Sequence, residues 1–132
     1  MPRRSAVKKR KAMQLRQLLK SKIHQARVTY ANPEYVGSIE VDADVLRRVG
    51  IEDGELVHVW AVDHKSRIQT YAFSGPTGVI GLNGGAAHHF SAGDRIVIAA
   101  FALSDERIVP QMVMLDEENK VVRELEPFTV LG

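Results

Sequence analysis

The polar and apolar positions of this chain change rhythm often and never settle into a long helical period. Leu56 to Val62 alternates as a half-buried strand, and Asp63-His64-Lys65-Ser66 reads as a hairpin loop returning through a second strand, Arg67 to Phe73. Lys22 to Tyr30 alternates weakly and is rich in β-formers, whereas residues 13–20 fit a helical turn or a strand equally well. Asn32-Pro33 signals a turn, and Tyr35 to Val41 is strand-like. Asp42 or Asp44 can cap a short helix, Val45 to Val49, that Gly50 closes. Glu52-Asp53-Gly54 and Gly75-Pro76-Thr77-Gly78 are turns, and Val79 to Leu82 is a short strand. Asn83-Gly84-Gly85-Ala86-Ala87-His88 is a glycine-rich turn opening a helical turn. Arg95 to Leu103 is the most apolar run and reads as a buried strand, followed by strands at Val109 to Leu115 and from Val121. The last ten residues look loosely held. Many short strands, frequent turns and one or two small helices predict a mainly-β fold, a small barrel.

At 132 residues, 45% of them hydrophobic, the chain is one domain with a real core. It contains no cysteine, which removes disulfides, thiol nucleophiles and cysteine metal sites, and suits a cytoplasmic protein. No stretch is long and apolar enough to span a membrane. The net charge of +2 hides an asymmetry. Arg3, Arg4, Lys8, Lys9, Arg10 and Lys11 stand near the start with no acid among them; the remaining 12 basic residues (18 − 6) face 16 acidic ones, so the rest carries −4. Residues 1–12 are expected to be a disordered basic extension, and 13–132 the barrel domain.

The candidate chemistry lies at Tyr35-Val36-Gly37-Ser38. A Gly-Ser pair alone is commonplace. Here it is preceded by Lys22-Ile23-His24 and followed by Trp60, by Arg67-Ile68-Gln69-Thr70-Tyr71 and by Asn83-Gly84-Gly85-Ala86-Ala87-His88. In that order and spacing the set resembles the pyruvoyl-dependent aspartate α-decarboxylase (aspartate 1-decarboxylase) family, over roughly residues 14 to 122. Met13 sits where chains of that family usually begin. The departures are Gly85, where alanine is usual, Asn32-Pro33-Glu34 before the cleavage segment, and the bulky Ile39.

The resemblance implies a six-stranded double-psi barrel made as a zymogen. Ser38 Oγ attacks the Gly37 carbonyl, and the chain divides into a β chain 1–37 and an α chain 38–132. The new N-terminal residue becomes a covalent pyruvoyl group, the only cofactor, with no metal and no pyridoxal phosphate. It forms a Schiff base with L-aspartate, and CO2 departs to leave β-alanine for pantothenate and coenzyme A synthesis.

The same resemblance assigns the residues. Ser38 and Tyr71 are catalytic, Tyr71 as proton donor. Lys22, Arg67, Thr70, Gly84, Gly85 and Ala86 bind substrate. Tyr35, Gly37, Asn83, His24 and Trp60 support processing. Gly37 suits the attack because glycine tolerates backbone that other residues resist. A guanidinium fork holds a carboxylate bidentately, and holding the departing one would oppose its loss, so Arg67 belongs on the retained group. On a strand Thr70 and Tyr71 point to opposite faces. The resemblance further implies a homotetramer with sites between subunits and, in some members, a maturation factor. The competing readings are a decarboxylase of a related acidic amino acid such as glutamate, and a non-catalytic barrel whose basic tail binds nucleic acid. The low aromatic content, 6%, and the lack of a stacking platform make nucleic acid the weaker expectation.

Overall fold

The computed structural model describes residues 12–128. The expected basic extension therefore lies, but for Ala12, outside the described residues. Nine strands form one mixed sheet: β1 (Arg16–Arg27), β2 (Tyr30–Asn32), β3 (Ser38–Asp42), β4 (Leu56–Ala61), β5 (Arg67–Gly75), β6 (Ile80–Asn83), β7 (Arg95–Ser104), β8 (Gln111–Leu115) and β9 (Val121–Glu124). Their order across the sheet is β2-β6-β3-β5-β4-β7-β1-β8-β9. A short helix, α1 (Ala43–Val49), and a 3-10 turn (Gly84–His89) complete the elements.

The most apolar run takes the central place. β7 pairs antiparallel with β1 on one side and β4 on the other. Ile96, Ile98 and Ala100 point into the core from β7, Val57 and Val59 from β4, Ile39 and Val41 from β3, and Ile80 and Leu82 from β6, all fully buried. Burying one such aliphatic side chain is worth about 1.5–3 kcal/mol.

Residues 16–20, ambiguous by pattern, are strand because Arg16 to Leu19 pair with Phe101 to Ser104. Asp42 is the cap of α1: Oδ1 accepts from the Asp44 N–H at 2.8 Å and the Val45 N–H at 3.4 Å, while Oδ2 accepts from the Gly78 N–H at 2.8 Å. Gly50 ends the helix at φ +76°, where its N–H bonds the Arg47 carbonyl. The expected looseness of the last ten residues does not extend to Leu125, which is buried and donates its N–H to the Met112 carbonyl. Positions 129–132 lie outside the described residues.

One boundary differs where it matters. The strand expected from Tyr35 begins only at Ser38. β6 is the reason. Ser38 pairs with Asn83, its last residue, and the chain then turns away at Gly84, leaving positions 35–37 no partner. They form instead a surface segment after the Asn32-Pro33 turn, with Tyr35 and Val36 exposed.

Candidate functional site

Ser38 is 3% exposed, though its neighbour Val36 is 80% exposed. Its Oγ donates toward the Val36 carbonyl at 3.3 Å and accepts from Asn83 Nδ2 at 3.4 Å. Asn83 is itself buried and also donates through Nδ2 to the Tyr30 hydroxyl at 3.2 Å. Tyr30 donates to Glu40 Oε1 at 2.6 Å. Burial and the bond to Glu40 both raise the Tyr30 pKa, so the ring stays a phenol at neutral pH.

The glycine-rich turn lies directly on the 35–37 segment. A methyl group on Gly84 would stand 2.5 Å from both the N and Cα of Gly37 and 2.8 Å from the Tyr35 carbonyl oxygen. Gly84 has φ +67°. The left-handed residue of this contact is thus Gly84 and not Gly37, whose φ is not positive and where an added Cβ would meet only the Asn83 carbonyl oxygen, at 3.8 Å. Gly37, expected to suit the attack through its backbone tolerance, is thus not left-handed, and the steric constraint of the contact sits on Gly84. Tyr35 reaches Gly84 through its carbonyl and leaves its side chain exposed. Gly85 is exposed with open space around it, and Ala86 packs on the core.

Tyr71, Trp60 and Arg67 lie on the same face of the sheet as Ser38. Ile39 pairs with Ala72, both core-facing, so Ser38 and Tyr71, one residue before each, face the other way. Thr70 pairs with the fully buried Val57, whereas Tyr71 pairs with the exposed Leu56, so the expected opposition of the two holds. Farther along this outer face, Trp60 pairs with Arg67. The Arg67 guanidinium stacks 4.9 Å from the Trp60 ring centre, and Lys22 Nζ lies 5.9 Å from it. Among the described residues no carboxylate forms an ion pair with either cation. Trp60 therefore gathers two positive charges with no anion of their own.

His24 is half-buried two residues from Lys22, and burial first, then the Lys22 charge, lowers its pKa from the usual 6.5. The unfolded chain therefore takes up a proton that the folded chain resists. This contribution to stability is complete above pH 6.5 and is lost as pH falls through the lowered folded value. Urea midpoints measured across roughly pH 7 to 5 should decline, and the His24→Gln variant should decline less; equal slopes would remove His24 from the account.

Sequence reasoning missed Tyr30 and Glu40. Their separation from each other and from Asn83 carries no motif; the one available signal was an acid, Glu40, between the apolar Ile39 and Val41. Among the described residues no group of three His, Cys, Asp or Glu could hold a metal ion, and no helix is long and apolar enough to cross a membrane.

A model of the aspartate decarboxylase family matches residues 13–122. The chain belongs to that family. It is 48% identical over 113 residues to the aspartate 1-decarboxylase of Exiguobacterium sibiricum, spanning 81% of this chain and 89% of that protein. It is 42% identical over 113 residues to the aspartate 1-decarboxylases of Burkholderia mallei and Burkholderia pseudomallei, spanning 80% of this chain and 88% of each. The matched region takes in both halves of the contact described above, Gly37-Ser38 and Asn83-Gly84.

Proposed function

We propose that this chain is a carboxy-lyase that converts L-aspartate to β-alanine and CO2, supplying pantothenate synthesis, and that it does so with a pyruvoyl group made from its own Ser38. The observation that carries the reading is the packing of Gly37-Ser38 against Asn83-Gly84: two distant parts of the family's region fold together at the one serine the chemistry needs.

The maturation step balances without any added reagent but water. Ser38 Oγ forms a bond to the Gly37 carbonyl carbon as the Gly37–Ser38 amide breaks, and the hydroxyl proton ends on the Ser38 nitrogen, giving an ester. Loss of the Ser38 α-proton expels the Gly37 carboxylate. Water then replaces the nitrogen, released as ammonia, and leaves a ketone. Asn83, whose Nδ2 reaches Ser38 Oγ, supports these steps, and Thr70 assists them.

The residues suit the resulting group. Asn83 Nδ2 offers a hydrogen-bond donor to an oxygen at position 38. The pyruvoyl ketone supplies an electrophile for the substrate amine and a sink for the electron pair left by CO2. Arg67 and Lys22, lacking an acid partner, bind the carboxylate that stays, because a firm grip on the departing one would oppose the loss of its charge. Tyr71, a phenol on the same face as Ser38, returns the proton to Cα. Gly84, Gly85 and Ala86 border the substrate, and His24 and Trp60 hold the two cations in place.

Arg67 stands four residues from Tyr71 along β5, about 13 Å at strand rise, farther than one aspartate reaches. The cation pair that serves a given Ser38 is therefore a neighbouring subunit's. This is the argument for a homotetramer with intersubunit sites. The apolar side chains that Leu56, Phe101 and Leu103 expose on this same face fit such an assembly. The fold that accommodates these contacts is read as the family's six-stranded double-psi barrel with short added strands, residues 13–132 forming the domain. The reading also includes a cytoplasmic location and, where cleavage is slow, a maturation factor.

Intact mass under denaturing conditions tests it. The expected result is two species, 1–37 and 38–132, the larger lighter than a serine-ended peptide by the difference between serine and pyruvoyl. A single chain that stays whole on prolonged warming overturns the self-cleavage reading.

A further inference from the structure

Tyr30 and Glu40 have no part in the chemistry above, yet they end a chain of hydrogen bonds that begins at Ser38. Glu40 Oε1 accepts from the Tyr30 hydroxyl at 2.6 Å, the Tyr30 oxygen accepts from Asn83 Nδ2 at 3.2 Å, and Nδ2 also donates to Ser38 Oγ at 3.4 Å. The other end of the same carboxamide, Asn83 Oδ1, is buried without a hydrogen-bond partner. We propose that Glu40 and Tyr30 are positioning residues for self-cleavage: together they fix which way the Asn83 carboxamide faces, and so whether Ser38 Oγ meets a donor or an acceptor. The proposal rests on the self-cleavage reading.

The argument is one of counting protons. An ionised carboxylate only accepts, so the single phenolic proton of Tyr30 is committed to Glu40. The Tyr30 oxygen can then only accept, and Asn83 must turn its NH2 group toward it. That choice sends Oδ1 into a buried place with no donor, an outcome a free carboxamide would avoid. Something has to impose it, and the carboxylate does. The ring is held where it must be because it lies over Gly81, whose missing Cβ leaves the space that the ring occupies. Burial and Glu40 keep Tyr30 protonated, so the count does not change near neutral pH.

The consequence falls on the nucleophile. With Nδ2 donating to Oγ, the hydroxyl proton points at the Val36 carbonyl, and the oxygen that attacks Gly37 has a donor in place as it gives that proton up. If position 40 could donate, Tyr30 would be free to donate to Oδ1. The carboxamide would turn over, its orphan acceptor would be satisfied, and Ser38 would face an acceptor that resists charge on Oγ.

Glutamine at position 40 makes that change with no change of size. The test follows by intact mass how fast freshly synthesised full-length chain gives the 38–132 fragment, in the wild type, Glu40→Gln, Tyr30→Phe and the double variant. Glu40→Gln is expected to cut roughly 10- to 100-fold more slowly. In the Tyr30→Phe background the same substitution should add nothing, because it acts only through the phenol. Cutting at the wild-type rate overturns the proposal, and so does an equal slowing in both backgrounds. A merely structural loss is told apart by the Tyr30→Phe variant alone, which removes the phenol between Glu40 and Asn83 and should slow cutting while its melting curve stays near the wild type's; cutting at the wild-type rate in Tyr30→Phe also overturns the proposal, and this arm stands even if Glu40→Gln folds poorly. A wild-type chain that never cuts brings down the self-cleavage reading and this one with it, whereas failure of the variants alone touches only Glu40 and Tyr30.

Discussion

Gly84→Ala should lower the melting temperature by roughly 5–15 °C and stop chain cleavage, while Gly85→Ala, its neighbour, should do neither. Two costs add at position 84. A Cβ there meets the N and Cα of Gly37 at 2.5 Å and the Tyr35 carbonyl at 2.8 Å, all main-chain atoms that cannot swing aside. The residue also holds φ +67°, a left-handed conformation costing an L-residue about 1–2 kcal/mol. Crowding of a packed site adds typically 1–3 kcal/mol. The alternative is that the 35–37 segment lifts off the turn, which spares stability but moves the Gly37 carbonyl away from Ser38. Either way cleavage suffers. At Gly85 a Cβ meets nothing within 4 Å and φ is not positive, so the substitution is free of both costs. Thermal melts and intact masses of the two variants decide it. A Gly84→Ala chain that melts and cuts like the wild type would mean that the turn and the cleavage segment are not in contact.

What the sequence made legible is what short-range chemistry controls. The Asp42 cap and the Gly50 stop bracket α1 within a turn of the helix itself, and the 63–66 loop joins two strands that pair with each other. The apolar run at Arg95 had to be a central strand because both its edges needed partners. The start of β3 was not legible. Tyr35 and Val36 have strand character, but a strand needs a partner, and whether β6 extends past Asn83 is decided by Gly84, almost fifty positions downstream. The site divides in the same way. Ser38, Asn83 and Gly84 were found because they belong to recognisable segments. Tyr30 and Glu40 were not, since their only relation to Ser38 is that parallel and antiparallel pairing sets β2, β6 and β3 side by side. That Gly84 and not Gly37 is the left-handed residue was illegible for a related reason: close approach of two backbones needs one glycine with freedom, and the sequence does not say which of the two provides it.

Ser38→Ala should abolish decarboxylation outright and leave the fold almost untouched, and that dissociation is what makes the variant decisive. The hydroxyl's two bonds are long, 3.3 Å to the Val36 carbonyl and 3.4 Å from Asn83. Asn83 keeps its bond to Tyr30 when the hydroxyl goes, so no new donor is left bare. Two weak hydrogen bonds lost without a buried orphan cost about 1 kcal/mol or less apiece, and alanine fills the buried space of a serine closely enough to leave no water-sized void. Stability thus changes little. Chemistry should change completely, because on the proposed route the missing oxygen is the nucleophile of maturation, and without it the carbon skeleton of residue 38 never becomes a ketone. The variant should run as one uncut mass and release no CO2 from L-aspartate, with a melting curve near the wild type's and the same oligomer. Activity that survives would show that the electron sink lies elsewhere. A variant that loses its fold as well would show that Ser38 holds the sheet together, and the loss of activity would then say nothing about chemistry. Geometry forbids that second outcome: the residues that lock β3 in place are Ile39 and Val41, fully buried and paired on both sides, and Ser38 stands at the strand's first position, where the ladder begins.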